Sequence, residues 1–542
     1  MPISILYLLL TLQKNKIMKI KNVLFYALVI ISVNLFSQIN NITNINKNTI
    51  NTNTLIQDII DFESNKDLLS TQEFISSGDG HVFTFDSLSS IAGSGVEKLY
   101  QHTYNVDSNF TISAKDTLRL MNYDTIKLSD RITITIEGFA DFNPLDTAII
   151  TRADSLSAPK GIYIKGDSSS ALIQKVRFEY AGIKSSSISG ITIKYCTFTL
   201  VNTSLSNSAI NLVKGNNLVE NCSFISNQGS AIASGSNIPC SLTFTNNYLF
   251  DNNTKNANRP QINMGPAGDG TIIITNNTII GAERSKVGGI AVANLLGVSG
   301  INNVIISNNY INKCRYGITT NGVMNAVISN NQIIDNKYDP DPMTGGSGIS
   351  IYNSNNLQNT MITNNRIEDN LWGITIVEGG NVNIGKLCVD STDIDFNPGQ
   401  NIFVNNGNNG LLYDLYNNSS NTIYAQGNTW NVAIQDSISI EEVIYHKNDD
   451  PTLGEVIYMY HPIIDNTTNY FSNDFEYYLI DKNLYFVNEV PGIIKIYNLN
   501  GVLLYNLENN TNNRISLDNL KTGIYILHLE KDVIMNRKIY IN

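Results

Sequence analysis

Hydrophobic and polar residues follow one repeating pattern through the middle of the chain. In residues 304–320, VIISNNYINKCRYGITT, apolar side chains lie four and two positions before Asn308, at Val304 and Ile306, and three positions after it, at Ile311. Apolar residues two positions apart predict β-strands. Each repeat is therefore predicted to be two short strands joined by a bend. Positions equivalent to Asn308 recur at intervals of 20 to 36 residues, at Lys175, Tyr195, Asn221, Asn246, Asn276, Asn330, Asn364 and Gln400.

The bend between the strands has a defined chemistry. The apolar alternation changes phase across it, so the chain must turn a corner there while the apolar side of both strands stays inward. Asparagine suits such a corner because it tolerates the left-handed backbone region. Six copies also have asparagine one position later, and stacking at about 4.8 Å would align these amides in a ladder. The predicted ladder residues are Asn247, Asn277, Asn309, Asn331, Asn365 and Asn401.

Repeats of this length indicate a solenoid, because one short unit cannot bury its apolar face without stacking on its neighbours. The pattern over residues 105–424 resembles the right-handed parallel β-helix of pectin-lyase-like proteins. The resemblance implies an all-β fold but leaves the function open, because enzymes, adhesins and phage or surface proteins share this architecture. We expect residues 425–469 to cap the β-helix.

Composition narrows the set of partners. Among 542 residues, 36 are Lys or Arg and 47 are Asp or Glu, which gives a net charge of −11. This charge argues against nucleic acid or an anionic membrane as a partner, because both would be repelled. The five cysteines lack the paired spacing of zinc or redox sites. Cys196 and Cys222 occupy the ladder position in successive repeats, so we expect both to be buried and to act as small apolar residues. The alternative is a disulfide between them.

Residues 1–38 predict an export signal. Met18 is followed by two lysines and by an apolar run from Val23 to Phe36, as in the basic and hydrophobic regions of a signal peptide. We expect translation to start at Met18, and no membrane-spanning segment once the signal is removed. Residues 39–104 are predicted to be a linker and a region that leads into the solenoid.

Residues 470–542 differ in character, because strands separated by glycine turns predict a small antiparallel β-sandwich. This segment resembles the type A C-terminal sorting domain of the type IX secretion system of Bacteroidetes. The resemblance implies that the type IX secretion machinery is a partner and that the protein is secreted or held at the cell surface. The residues that carry it are Tyr497, Gly501, Leu520, Gly523, Tyr525 and Lys538.

Charged and aromatic side chains follow the bend in four successive repeats. If these turns superimpose, they form one band roughly 14 Å long at the strand spacing. Cations, carboxylates and aromatic rings together suit a polyhydroxylated ligand, although solvated turns also carry charges. We call this set the charged band. Its members are Arg284, Lys286, Arg315, Tyr316, Lys337, Asp339, Asp341, Glu368, Asp369 and Trp372.

Catalysis has weaker support in the sequence. No histidine lies between Gly161 and Tyr424, and the Gly-His-Gly and Arg-Ile-Lys motifs of polygalacturonase-like β-helices do not occur. A pectate-lyase-like reaction would need calcium, for which Asp339 and Asp341 are candidates, although we favour a rigid loop at these positions. We therefore expect the charged band to bind a polysaccharide. The alternatives are a polysaccharide lyase or glycosidase acting on the same band, and a structural surface spacer.

Overall fold

The computed structural model describes residues 73–339, 341, 345–352, 358–387, 391–408, 411, 413–459, 477–480, 482–486, 490–498, 501–531 and 534–541. The predicted signal peptide, most of the predicted linker and Cys388 lie outside the described residues. Three long sheets, A, B and C, form a parallel β-helix, as predicted.

Sheet A consists of β1 (Phe74–Ile75), β5 (Phe110–Ile112), β8 (Thr133–Ile136), β11 (Gly161–Ile164), β14 (Gly182–Ser185), β17 (Ser208–Leu212), β20 (Ser230–Ser234), β23 (Ile262–Met264), β26 (Ile290–Asn294), β29 (Ile318–Gly322), β32 (Ser347–Tyr352), β35 (Trp372–Val377), β38 (Leu415–Asn418) and β40 (Ile444–Tyr445).

Sheet B consists of β2 (Val82–Thr84), β6 (Thr117–Arg119), β9 (Phe139–Phe142), β12 (Ser170–Gln174), β15 (Ile191–Lys194), β18 (Gly215–Glu220), β21 (Cys240–Thr245), β24 (Thr271–Thr275), β27 (Asn303–Ser307), β30 (Asn325–Ser329), β33 (Asn359–Thr363), β36 (Asn381–Gly385), β39 (Ile423–Ala425) and β41 (Val456–Ile457).

Sheet C consists of β3 (Val96–Tyr100), β4 (Thr103–Val106), β7 (Thr125–Leu128), β10 (Ala148–Arg152), β13 (Val176–Glu179), β16 (Thr197–Thr199), β19 (Ser223–Ile225), β22 (Tyr248–Phe250), β25 (Thr278–Ile280), β28 (Tyr310–Asn312), β31 (Gln332–Ile334), β34 (Arg366–Glu368) and β37 (Ile402–Val404). Two short helices, α1 (Phe85–Ser89) and α2 (Ser437–Glu441), lie near the two ends of the coil.

From β5 to β37, each coil passes through one strand of sheet A, then one of sheet B, then one of sheet C. Before them, β3 and β4 form an antiparallel pair within sheet C. The predicted bend is the corner between sheets B and C. Asn308 has φ of 55° there, and every equivalent residue also has positive φ, including Tyr195 and Gln400. The left-handed residue turns the chain so that Ile306 and Ile311, an odd number of positions apart, both point inward and are fully buried.

The predicted asparagine ladder is present inside this corner. The Oδ1 atom of Asn309 accepts hydrogen bonds from the backbone N–H (3.0 Å) and the amide Nδ2 (2.9 Å) of Asn277 in the preceding coil. The Nδ2 atom of Asn309 donates to the Ile274 carbonyl and to Oδ1 of Asn331. Because the ladder residues are buried, each amide satisfies backbone groups that no water reaches. The ladder continues past Asn401 to Asn428.

A second ladder, which the sequence analysis missed, lies at the corner between sheets C and A. The backbone N–H of Asn336 donates to Oδ1 of Asn370 (3.0 Å), and the N–H of Asn370 donates to Oδ1 of Asn406 (3.2 Å). Its sequence signal is an asparagine five positions after a first-ladder asparagine, as Asn336 follows Asn331. The two ladders fix both corners of the coil and hold the intervening sheet C strands in register.

Apolar residues also stack from coil to coil. The rings of Phe178, Phe198 and Phe224 lie in parallel planes with centroid separations of 4.8 Å and 5.0 Å. Cys196 and Cys222 are buried free thiols in the ladder column, which confirms the expectation of small interior residues. Burial raises the pKa of the Cys196 thiol well above its usual value.

The parallel sheets extend beyond residues 105–424 at both ends. Upstream, β1 pairs with β5 and β2 pairs with β6, and downstream β40 and β41 pair with β38 and β39. Asp116, which is fully buried, joins the upstream segment to the β-helix through hydrogen bonds. Its carboxylate accepts hydrogen bonds from Ser76 Oγ and from the backbone N–H groups of Gly78, Gly80 and His81. Burial alone would raise the pKa of Asp116, but these hydrogen bonds hold it below its usual value.

The C-terminal region is antiparallel, as predicted. One sheet has the order β42 (Tyr477–Ile480), β43 (Asn483–Phe486), β46 (Arg514–Ser516), and the other has the order β45 (Leu503–Glu508), β44 (Ile493–Asn498), β47 (Gly523–Glu530), β48 (Ile534–Ile541). The two sheets share a hydrophobic core that includes Leu484, Ile496 and Leu527. This core is separate from the core of the β-helix.

Candidate functional site

The charged band lies mainly at the C–A corner, which joins each sheet C strand to the next sheet A strand. This corner also begins with a left-handed residue, as at Lys313 and at Asp369, whose φ is 55°. The strands on either side are paired in register from coil to coil. The corner loops therefore project from one side of the solenoid, next to the outer face of sheet A.

Three of the four cations of the band are paired with nearby carboxylates. Arg284 makes a bidentate ion pair with Asp251 of the preceding coil, at 2.6 Å and 3.0 Å. Lys337 lies 2.8 Å from Asp335 of the same turn, while Lys286 is exposed and forms no ion pair with a carboxylate of the described residues. Much of the positive charge in the band is therefore neutralised locally.

The exposed pair between Lys313 and Glu283 joins two successive corners. The ammonium nitrogen and the carboxylate oxygen are 2.8 Å apart. The hydrogen bond and the charge of Lys313 lower the pKa of Glu283, and Glu283 raises the pKa of Lys313 in the same way. Both groups stay ionised near neutral pH, so their charges continue to offset each other.

Asp339, a candidate calcium ligand, is held by protein groups. Its Oδ2 atom accepts a short hydrogen bond from Arg315 Nε, and its Oδ1 atom accepts from the Asp341 backbone N–H at 3.0 Å. The Arg315 guanidinium also donates to Asn258 at 2.6 Å. A guanidinium in contact with the carboxylate does not fit a calcium site, which needs several oxygen ligands. In the described residues, no three His, Cys, Asp or Glu side chains are grouped as metal ligands.

Two further band residues have structural contacts. The Tyr316 ring lies over Gly288, where a Cβ atom would come within 2.1 Å of the ring, so only glycine fits beneath it. Burial raises the pKa of the Tyr316 hydroxyl. Glu368 lies on the outer face of sheet C and accepts a hydrogen bond from Arg366 Nε at 2.7 Å. The corner glycine thus makes room for an aromatic ring from the next coil.

Trp372 belongs to a cluster of four aromatic side chains, which we call the aromatic wall. Its ring stacks on Tyr413, with centroids 5.5 Å apart and planes 3° apart. Tyr416 stacks on Tyr445 at 4.8 Å, and Trp372 meets the Tyr416 ring edge-on at 5.4 Å. All four side chains are half-buried. Of these four residues, only Trp372 belongs to the predicted charged band, because the three tyrosines lie in other coils, 41 to 73 residues further along.

The aromatic wall ends a column of small outward side chains on sheet A. Strand register places Tyr416 beside Thr375, then Ser350, then Thr319 in successive coils. Three further outward positions of this column carry Ala291, Asn263 and Ala233. We call these six small residues the lane. Strands about 4.8 Å apart give the lane a length of roughly 24 Å, with the C–A corner along one edge.

The residues predicted to mark the sorting domain form one structural unit. Gly501 has φ of 77° in the turn between β44 and β45, and Tyr497 lies at the end of β44. Tyr525 is buried and its hydroxyl donates to the Lys521 carbonyl at 2.6 Å. Leu520 is also buried, Gly523 begins β47, and Lys538 pairs with Ile526 through the backbone of β48.

Two family models match the chain. Residues 477–542 match the secretion system C-terminal sorting domain, which confirms the predicted sorting domain. Residues 248–434, within the β-helix, match a family described as a protein of unknown function, DUF1565. Neither helix in the described part of the chain has the length and hydrophobicity needed to cross a membrane.

Two solved structures illustrate what this chain is similar to. The periplasmic alginate epimerase AlgG is 12% identical with a TM-score of 0.43, over 70% of this chain and 84% of the epimerase. The receptor-binding protein of bacteriophage Det7, a tailspike, is 9% identical with a TM-score of 0.28, over 89% of this chain and all of the tailspike chain. A comparison with curated protein sequences gives no match. The sheets and the sorting domain together show that this chain is a parallel β-helix protein exported to the cell surface or beyond by a secretion system.

Proposed function

We propose that the exported β-helix binds a polysaccharide along the lane, against the aromatic wall. The observation that carries this proposal is the cluster of Trp372, Tyr413, Tyr416 and Tyr445, half-buried at one end of a column of small side chains. Aromatic rings favour the apolar faces of sugar rings, and half-buried rings on a surface are typical of binding sites.

The lane supports the same ligand for a different reason. Thr319, Thr375 and Asn263 offer hydroxyl and amide groups to sugar hydroxyls, and Ala291 adds little bulk to the column. Ala233, which is 8% exposed, closes the far end of the column. Their column is continuous because the strands pair without a register shift between β20 and β38. An extended chain could therefore lie across successive coils.

The charged band would form one edge of this site. Arg284, Arg315 and Lys337 are each paired with a carboxylate, so they shape the corner and present residual hydrogen-bond donors instead of free charge. The same pairing leaves no evident general base beside a free carboxylate in the described part of the band. We therefore place binding ahead of lyase or glycosidase activity.

We expect replacement of Trp372 by serine to weaken polysaccharide binding roughly 10-fold, since one stacked ring contributes on the order of 1 kcal/mol. Serine is the residue that the preceding coil carries in register, at Ser347, so the backbone should tolerate it. The measurement is isothermal titration calorimetry of full-length mature protein against a panel of neutral and uronic-acid glycans that first identifies a ligand.

The matched control is Tyr424→Ser, which removes a half-buried outward ring from sheet B, away from the lane. It should leave binding unchanged. New reducing ends or unsaturated uronate absorbance during incubation would instead support a hydrolase or lyase. If no glycan is retained, or if Trp372→Ser binds as well as the natural protein, the lane is not a binding site and the spacer hypothesis is favoured.

A further inference from the structure

The outer face of sheet C carries an uncharged surface that the proposed lane does not include. The outward positions of five consecutive strands, β19, β22, β25, β28 and β31, have aromatic, aliphatic, hydroxyl and amide side chains and no charged one. The outward positions of five consecutive sheet B strands, β21, β24, β27, β30 and β33, are uncharged as well, but they carry no aromatic ring. Sheet C differs because its uncharged outer face also exposes the rings of Tyr248 and Phe250. Exposed apolar groups that lie together are candidates for an interaction site.

Two tyrosines on this surface are separated by a small residue. Strand register places Tyr248, Thr278 and Tyr310 side by side in three successive coils. The two tyrosines are therefore about 9.6 Å apart along the coil axis, a distance comparable to the length of a disaccharide. Tyr248 is 40% exposed and Phe250, on the same strand, is 38% exposed. Thr278 leaves a shallow gap between the two rings.

Charges occur only where this surface ends. On β13, two strands before β19, Arg177 pairs with Glu179 at 2.9 Å, and on β34, the strand after β31, Arg366 pairs with Glu368 at 2.7 Å. Both pairs are internally neutral. A charged polymer would therefore meet no free counter-charge on the surface, whereas an uncharged polymer would lose no ion hydration on binding.

The backbone of this surface is already fully used in the sheet. Each of the five strands pairs with a parallel neighbour on both sides, so a peptide cannot add to it as a further strand. Recognition must use ring faces and the hydroxyl and amide groups of Thr278 and Gln332. Those are the groups that suit uncharged sugars.

We infer that the outer face of sheet C is a second glycan site, which binds a neutral polysaccharide running along the coil axis across Tyr248 and Tyr310. This site lies on the other side of the C–A corner from the lane and shares no residue with it. The two sites can therefore be tested separately with variants of the full mature protein.

The test compares three variants for binding to neutral polysaccharides, namely β-glucan, mannan and chitin oligomers, and to a uronic-acid polymer. Tyr248→Thr combined with Tyr310→Thr copies the residue already present at Thr278 and keeps strand propensity. We expect it to raise the Kd for a neutral glycan roughly 10-fold or more. Thr278→Arg, which fills the gap with a cation, should do the same, while Tyr424→Thr should have no effect.

The outcomes separate this inference from the proposed lane. Two separate sites are supported if the sheet C variants lose binding to one class of glycan while Trp372→Ser has the same effect on binding as before. The inference is overturned if no neutral glycan binds beyond what Trp372→Ser abolishes, or if the uronic-acid polymer binds this surface more tightly in low salt. It is also overturned if light scattering shows a dimer that the double tyrosine variant dissociates, because a second copy then covers the surface.

Discussion

Replacement of Asn309 by leucine should lower the free energy of unfolding by about 3–5 kcal/mol, because it leaves several buried groups without partners at once. The backbone N–H and the amide of Asn277 would lose their acceptor, and the Ile274 carbonyl and Asn331 Oδ1 would lose a donor. Leucine also has to fit where a planar amide now stacks between two others. The effect should exceed that of removing any exposed ion pair.

The measurement is urea-induced unfolding followed by far-ultraviolet circular dichroism, compared with the variant Asn308→Gly. Asn308 is exposed and has φ of 55°, a conformation that glycine adopts without strain. We expect a change below about 1 kcal/mol for this neighbour. Equal effects at the two positions would mean that the ladder adds nothing beyond the corner conformation.

The architecture could be predicted from sequence because the repeat carries its own geometry. The phase change between Ile306 and Ile311 predicts a corner at which the apolar side chains of both flanking strands point inward. The left-handed φ of Asn308 forms this corner. The amide of Asn309 sits on the inward side of that corner. Local backbone chemistry and solenoid stacking favour the same fold, so the repeat pattern alone is enough to predict the β-helix.

The candidate site was less predictable because its contacts join different coils. Coil lengths of 20 to 36 residues hide which corner residues become neighbours. Arg315 meets Asp339 across 24 residues, and Trp372 meets Tyr413 across 41. The sequence located the charged corner but not its ion pairs. The tyrosines of the aromatic wall and the sheet C surface become visible only when strand register is known.

Replacement of Asp414 by asparagine should stabilise the protein at pH 8 and change little at pH 4. The Asp414 side chain is fully buried just before β38, where its carboxylate accepts hydrogen bonds from the Asn431 backbone N–H at 2.7 Å and, weakly, from Asn406 Nδ2 at 3.4 Å. Burial raises the pKa of Asp414 to about 7. These two donors do not offset the loss of hydration.

The sign of this pH dependence of stability follows from proton binding. The native protein keeps a proton on Asp414 up to pH about 7, while the unfolded chain releases it near its ordinary pKa of 3.8. The native state therefore binds more protons between those values, and its stability falls as the pH rises through this window. Asparagine does not titrate, so the free energy of unfolding of the variant should rise relative to that of the natural protein between pH 4 and pH 7. The difference should reach about 2–4 kcal/mol and persist at higher pH. Urea unfolding of both proteins at half-unit steps from pH 4 to 9 measures this difference, and a constant difference across the range would show that Asp414 is ionised in the native state throughout.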